Sequence, residues 1–415
     1  MADSILVHNT GEVATLSQRT FDGPLCGHEM TQKDDLFMDK GTEILFSDGF
    51  VTAIESAGTI SSEWLGNSNV RDIDARGKAI VPAFVDSHTH LVWSGDRSDE
   101  ITMRSRGLGY EEIGKLGGGI KRTVANTRRS TEEELRNLVK NRLDMAQRSG
   151  TGRLEAKSGY GLDVEHEKKS LEVLDYFNRN GSNQMECTWL GAHDIPTGFT
   201  RGQYLDNLLD EQLPMVTQNK LARYVDVFCE PGWFTTDETT LICEESKKMG
   251  LEVRLHVDEF VDSGGLDLAT EIGAVSADHV ARSPMPSRVE ASESGTMQTF
   301  LPGTPYALGK PLDLPLKQCM DAGVSFSLAT DFNPNCPSLS LPFVASLAVH
   351  RMKLDPVASL VAITRNPATS LDCSGTAHRG TIEVGIESRV LILESENYES
   401  FLSPFGTMNN FDMIN

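Results

Sequence analysis

His88 and His90 stand two residues apart in the run Asp86-Ser87-His88-Thr89-His90. On an extended strand that spacing turns both imidazoles to one face, where neutral ring nitrogens can ligate one metal ion. A hydrogen-bonded histidine pair at a barrel rim is the plainer alternative. His256 could complete a three-histidine set and Asp331 could add a carboxylate, although alone either residue reads as a structural hydrogen-bonder. A cation held by four protein groups with room for water lowers the pKa of that water from about 15.7 toward 7. Glu259, three residues after His256, is placed to move protons between such water and a departing nitrogen; without the histidines it would read as a solvated loop carboxylate. His279 beside Asp278 has the form of an oriented imidazole suited to act as acid, base or electrophile, a pairing that also arises often by chance. His193 follows a Gly-Ala pair that lets a ligand approach, with a satisfied core histidine as the alternative. Arg97 and Tyr160 offer a guanidinium and a phenol suited to a carboxylate, though most exposed arginines are only solvated.

These residues need a scaffold that gathers strand ends. Short apolar or β-branched runs occur at 79–87, 152–157, 185–191, 224–229, 251–257, 275–280, 296–301 and 324–330. Helical stretches lie between several of them, one from Thr131 onward with Ser130 or Thr131 as its cap, another amphipathic over 165–178. Strands alternating with helices predict a (β/α)8 TIM-type barrel, whose chemistry sits at the C-terminal strand ends. The titratable residues named above fall at those ends or in the loops after them. Residues 1 to about 78 read as short strands, with a hairpin turn at Ser47-Asp48-Gly49. Gly380–Gly385 and Val390–Leu393 have similar character. The two ends together are expected to form a small β-sandwich domain from 1–78 and 375–415, flanking a barrel over 79–374.

The chain of 415 residues carries a formal net charge of −22, a field that repels phosphate backbones and argues against a nucleic-acid binder. No apolar run reaches the roughly 20 residues a membrane span needs, and Met1-Ala2-Asp3-Ser4 does not open a secretory signal. Seven cysteines, none spaced C-x-x-C, fit reduced thiols in a cytoplasmic protein. Gly117-Gly118-Gly119 matches no phosphate loop and reads as a mobile loop or a close-packing turn. Nothing near Cys336 would activate it as a nucleophile. His8, His28, His166, His350 and His378 lack comparable context and read as structural.

With these residues in view, the chain resembles the amidohydrolase superfamily and, within it, the imidazolonepropionase family. The resemblance runs from Ile5 through the last barrel strand. It rests on Val81-Pro82-Ala83-Phe84-Val85-Asp86-Ser87-His88-Thr89-His90, Gly95-Asp96-Arg97, Glu155-Ala156-Lys157-Ser158-Gly159-Tyr160-Gly161 and Leu190-Gly191-Ala192-His193. Asp226-Val227-Phe228-Cys229-Glu230, His256-Val257-Asp258-Glu259, Ser276-Ala277-Asp278-His279 and Thr330-Asp331-Phe332-Asn333-Pro334 complete it. The resemblance implies one zinc or iron ion per subunit on His88, His90, His256 and Asp331, and hydrolysis of the cyclic amide of 4-imidazolone-5-propanoate to N-formimidoyl-L-glutamate. It also implies a homodimer. Arg97, Tyr160, His193, Glu259, Asn333, Asn335 and Cys336 would hold substrate; Glu259, His279 and Asp331 would serve the proton transfers and the oxyanion. Asn335 and Cys336 depart from the family's Gly and Ser or Thr, which places a left-handed turn on an asparagine and a weak hydrogen-bonder beside the substrate. The rival readings are deamination of an aminated heterocycle by the same residues and a non-catalytic barrel scaffold.

Overall fold

The computed structural model describes residues 4–17, 23–180, 184–371, 377–403 and 411–414. Met1, Cys373 and the expected 374/375 boundary lie outside the described residues. Eight parallel strands form the central sheet, each hydrogen-bonded to the next in chain order: Phe84–Asp86, Thr151–Lys157, Gln184–Ala192, Tyr224–Cys229, Glu252–Val257, Ser276–His279, Met297–Phe300 and Phe326–Leu328. The first and eighth meet just past their ends. Thr89 bridges Phe332 in parallel, and the Asp331 and His90 amides donate to the His88 and Phe332 carbonyls at 3.1 and 2.8 Å. This closure places Asp331 between the two first-strand histidines.

All eight expected runs contain barrel strands, with one correction. The first run divides: Ile80–Pro82 pairs antiparallel with Val390–Ile392 in a smaller sheet, and the barrel strand begins at Phe84. Pro82 has no amide hydrogen for a ladder, which suits a change of partner there. Thr131 caps the helix Glu132–Arg148 through a reciprocal box with Glu134, while the 165–178 helix spans Val164–Asn180. Leu135, Val139 and Leu143 recur at helical spacing on the buried face of the former. Gly118 caps the helix Gly119–Arg129, and a Cβ on Gly118 would lie 2.7 Å from Glu100, so the triple glycine is a close-packing turn.

Two smaller sheets stand beside the barrel. One orders Phe50–Glu55, Glu43–Ser47, Ser4–His8 and Val70–Asp74; the other orders Asp412–Ile414, Val390–Ile392, Ile80–Pro82, Val13–Ala14 and Phe37–Met38. Val7, Ile44 and Phe46 of the first share a core with Val13, Ile80 and Val390 of the second. The expected hairpin turns at Asp48 and Gly49, both at positive φ (52° and 82°). Two expectations fail. Gly27–Thr31 and Lys33–Leu36 are helical turns inside the segment read as strands. Gly380–Gly385 is not a strand: Ile382 is buried with its amide on the Thr15 carbonyl, and Gly380 is pressed against Thr364 and Arg365 at φ 68°. The six described cysteines are free thiols. Among the described residues no helix is long and apolar enough to cross a membrane.

His378 joins barrel and smaller sheet. Its Nε2 donates to the Ala83 carbonyl at 3.0 Å and its Nδ1 accepts from the Arg389 amide at 3.4 Å, an arrangement open only to the neutral ring. Burial pushes its pKa down from 6.5 to about 4. The unfolded chain therefore takes up a proton, as pH falls below 6.5, that the folded chain refuses until about pH 4. Stability contributed above that window is lost within it, at up to about 1.4 kcal/mol per pH unit. His378→Gln, which keeps a donor for Ala83, is expected to flatten the fall of the melting temperature across this range. An unchanged acid slope would show that the ring titrates freely in the native state.

Candidate active site

At the C-terminal mouth of the barrel, ligand atoms of His88, His90 and His256 lie within 4.8 Å of one another, as do those of His88, His279 and Asp331. Asp331 Oδ1 is 3.5 Å from Nε2 of both His88 and His90. The outer nitrogens are turned to carboxylates: His88 Nδ1 lies 2.7 Å from Asp278 Oδ2, and His256 Nδ1 lies 3.0 Å from Asp226 Oδ2. Nε2 of His88 and both ring nitrogens of His256 are buried without hydrogen-bond partners, the His256 Nδ1 contact with Asp226 being an ion-pair approach only. Orphaned, inward-facing imidazole nitrogens beside a carboxylate are the donors a bound cation needs, so the residues fit a metal ion. Burial holds His88 and His90 neutral, well below the ordinary imidazole pKa, which is the ligating form. Zinc and iron both suit this donor set.

One cavity is lined by His90, Arg97, Tyr160, His193, His256, Glu259, His279, Asp331, Asn333 and Asn335. Nine-tenths or more of each of His90, Arg97, Tyr160, His193, His256 and Asp331 is buried. His193 Nδ1 donates to the Gly159 carbonyl at 2.9 Å, and burial lowers its pKa to about 3, so Nε2 is the acceptor. Arg97 gives Nε and Nη2 to Glu100 at 2.9 and 2.8 Å, which fixes the guanidinium plane at the cavity wall. Glu259 reaches His279, Oε2 lying 3.7 Å from Nε2. Its amide is held by the buried Glu230 carboxylate. Burial, with Asp331 and Glu230 close by, raises the Glu259 carboxyl well above its usual range.

Three expectations are corrected. Asp278 does not orient His279; adjacent strand residues face opposite ways, and Asp278 serves His88 instead. Asn335 keeps a negative φ, and the left-handed residue of this turn is Asp331 at φ 49°. Asn335 Oδ1 instead accepts from Arg104 at 3.3 Å. Asn333 lines the cavity, but its side chain also builds the turn, donating to the Asp331 carbonyl and accepting from the Asn335 amide. Cys336 is withdrawn: its buried sulfur faces the Thr330 carbonyl at 3.8 Å and is absent from the cavity wall. Burial pushes its thiol pKa up. Cys336→Ser is therefore expected to leave kcat/KM within about threefold, under ~0.7 kcal/mol; a larger loss would put this side chain in contact with substrate.

Left-handed backbone concentrates here. Asp258, His279, Val280 and Asp331 at the ends of the fifth, sixth and eighth strands have φ of 51°, 73°, 43° and 49°. Such geometry on non-glycine residues persists where the surroundings over-determine it. Five donors, the Ser263, Gly265 and Leu266 amides and the Ser263 and Ser283 hydroxyls, hold the Asp258 carboxylate, and the Asp331 carboxylate accepts from Thr304.

No family model matches the chain. Among curated proteins it is 35% identical to the imidazolonepropionase of Symbiobacterium thermophilum over 398 residues, 95% of this chain and 92% of that protein. The chain belongs to the imidazolonepropionase family. The imidazolonepropionase of Geobacillus kaustophilus is 40% identical over 339 residues, covering 80% and 79% of the two chains. Solved structures share the fold at much lower identity. A 5-methylcytosine deaminase from Klebsiella pneumoniae aligns at TM-score 0.68 and 16% identity over 95% of this chain and 93% of that one. A guanine deaminase from C. acetobutylicum aligns at 0.68 and 13% over 99% and 97%. As an imidazolonepropionase-family member, the chain is a hydrolase on a TIM-type barrel with added sheets.

In this imidazolonepropionase-family chain, four buried charged residues beneath the histidines lie within the sequence motifs, and residue type alone does not reveal their ion pairs. They are Glu155, Lys157, Asp226 and Asp278. Their signal is a charge inside an apolar strand. Glu155 and Lys157 are two apart, as are Arg254 and His256, so each pair faces the barrel interior.

Proposed function

We propose that this protein adds water across the cyclic amide of 4-imidazolone-5-propanoate and releases N-formimidoyl-L-glutamate. One observation supports the reading above others: the three histidines and Asp331 converge at the cavity that also bears Arg97, Tyr160, His193 and Glu259. One zinc or iron ion per subunit would be held by His88, His90, His256 and Asp331; bound there, it supplies Lewis acidity that polarises a carbonyl and acidifies water.

The chain's own groups do the rest. Asp331, beside both first-strand histidines, takes the proton of the attacking water. The Glu259 carboxyl, whose hold on a proton is strengthened by desolvation and the nearby Asp331 and Glu230, gives a proton to the ring nitrogen as the carbon–nitrogen bond breaks. Neutral His279 supports the negative charge that develops on the carbonyl oxygen. Arg97 and Tyr160 grip the propanoate carboxylate, and His193 with Asn333 and Asn335 orients the ring. The family relationship supports a cytoplasmic homodimer.

Given freshly prepared 4-imidazolone-5-propanoate, the protein is expected to yield a product heavier by one water, with fragments of formimidoyl-glutamate. Ammonia release from purine or pyrimidine bases, with the imidazolone untouched, would replace this reading by a deaminase.

A further inference from the structure

Beneath the cavity lies a charge cluster that contributes nothing to its wall. The Lys157 ammonium is fully buried. Its Nζ lies 2.9 Å from Glu155 Oε1, 2.8 Å from Asp226 Oδ2 and 3.7 Å from Asp278 Oδ2. The two aspartates each meet a histidine, and the glutamate meets the backbone between two of them. Asp278 faces His88 Nδ1 at 2.7 Å. Asp226 faces His256 Nδ1 at 3.0 Å and also accepts from the His256 amide at 3.1 Å. Glu155 Oε2 accepts at 3.3 Å from the amide of Thr89, the residue between His88 and His90.

We propose that Lys157 is the positioning residue of the metal site, one ammonium that anchors the aspartates behind His88 and His256 and the glutamate that holds the Thr89 amide beside His90. The physical reason is charge and shape. Three fully buried carboxylates crowd the barrel axis, and without a cation between them they would repel and turn away from the imidazoles. A lysine head is a compact charge with three donors, so it can meet carboxylates from the second, fourth and sixth strands at once. A guanidinium fork is planar and is used elsewhere in the cluster: Arg254 spans Ser370 and Ser87 carbonyls at 2.8 and 2.9 Å and lies 3.8 Å from Asp278. With the aspartates fixed, His88 and His256 keep Nε2 free for the ion they would hold.

The inference rests on the metal reading above, and its test separates the two. Zinc affinity is measured by chelator competition on wild type, Lys157→Met and Arg153→Met, with melting temperatures of the metal-free and zinc-loaded forms. Arg153 is the control: it is a buried cation on the same face of the same strand, but it pairs with Glu186 and the His378 carbonyl. Lys157→Met is expected to weaken zinc binding about 10–100-fold and to shrink the melting-temperature gain on loading. Arg153→Met should lower both melting temperatures with affinity unchanged. Wild-type affinity in Lys157→Met, or equal losses in both variants, overturns the positioning role. If Lys157→Met does not fold, Glu155→Gln, which leaves the ammonium on its two aspartates, is expected to weaken zinc severalfold; unchanged affinity there overturns the role as well. Wild type that binds no zinc or iron would instead refute the metal reading itself.

Discussion

Glu259→Gln is expected to lower kcat by about 10²–10⁴-fold, the usual worth of a positioned general acid–base group, while metal content stays at the wild-type level. The glutamine has nearly the same shape and keeps the amide contact with Glu230 through the backbone. It cannot hold and release the proton that the leaving nitrogen requires. KM should change little, because the carboxylate grip proposed for Arg97 and Tyr160 is untouched. Kinetics paired with metal analysis decide the matter: near-normal kcat would remove Glu259 from the proton transfer, and lost metal would make it a structural support of the ligands.

His90→Ala should be still more damaging. His90 stacks on His193 at 5.4 Å between ring centroids, and its Nε2 faces Asp331. Alanine deletes one donor and leaves the other ligand side chains in place. Metal should be retained poorly after dialysis, and turnover should fall by at least about 10³-fold, ~4 kcal/mol of transition-state stabilisation. The buried ring packs on His193 and Tyr160, so the metal-free variant should also melt somewhat lower, and metal content, not melting, carries the test. A variant that keeps both metal and activity would move the ligand set elsewhere.

The barrel was legible because each strand is a short apolar run ended by polar residues, a pattern that survives without tertiary information. The boundary of the first strand was not. Residues 79–85 form one continuous apolar run, and the only local mark that Pro82 and Phe84 belong to different sheets is the proline itself, which does not say where the next partner lies. Gly380–Gly385 has the composition of a strand, yet its backbone is set by packing of Gly380 against Thr364. Within the site, the histidines and Asp331 were visible because of residue type and position at strand ends. The partner of His279 was misread by treating chain neighbours as spatial ones, although strand geometry points Asp278 to the opposite face. The Lys157 cluster depends on register between the second, fourth and sixth strands, which one sequence does not display. Cys336 and Asn335 stood out as unusual residue types, but only the turn geometry shows that one side chain is buried away from the cavity and the other binds Arg104.

The most direct test is a titration. Metal-free protein is supplied with zinc(II) or, anaerobically, iron(II), and the loss of 4-imidazolone-5-propanoate is followed at each addition. The site described here predicts no turnover before metal, a linear rise, and a plateau at one ion per chain. Full turnover by protein freed of metal, or a plateau with no imidazolone consumed, would contradict it.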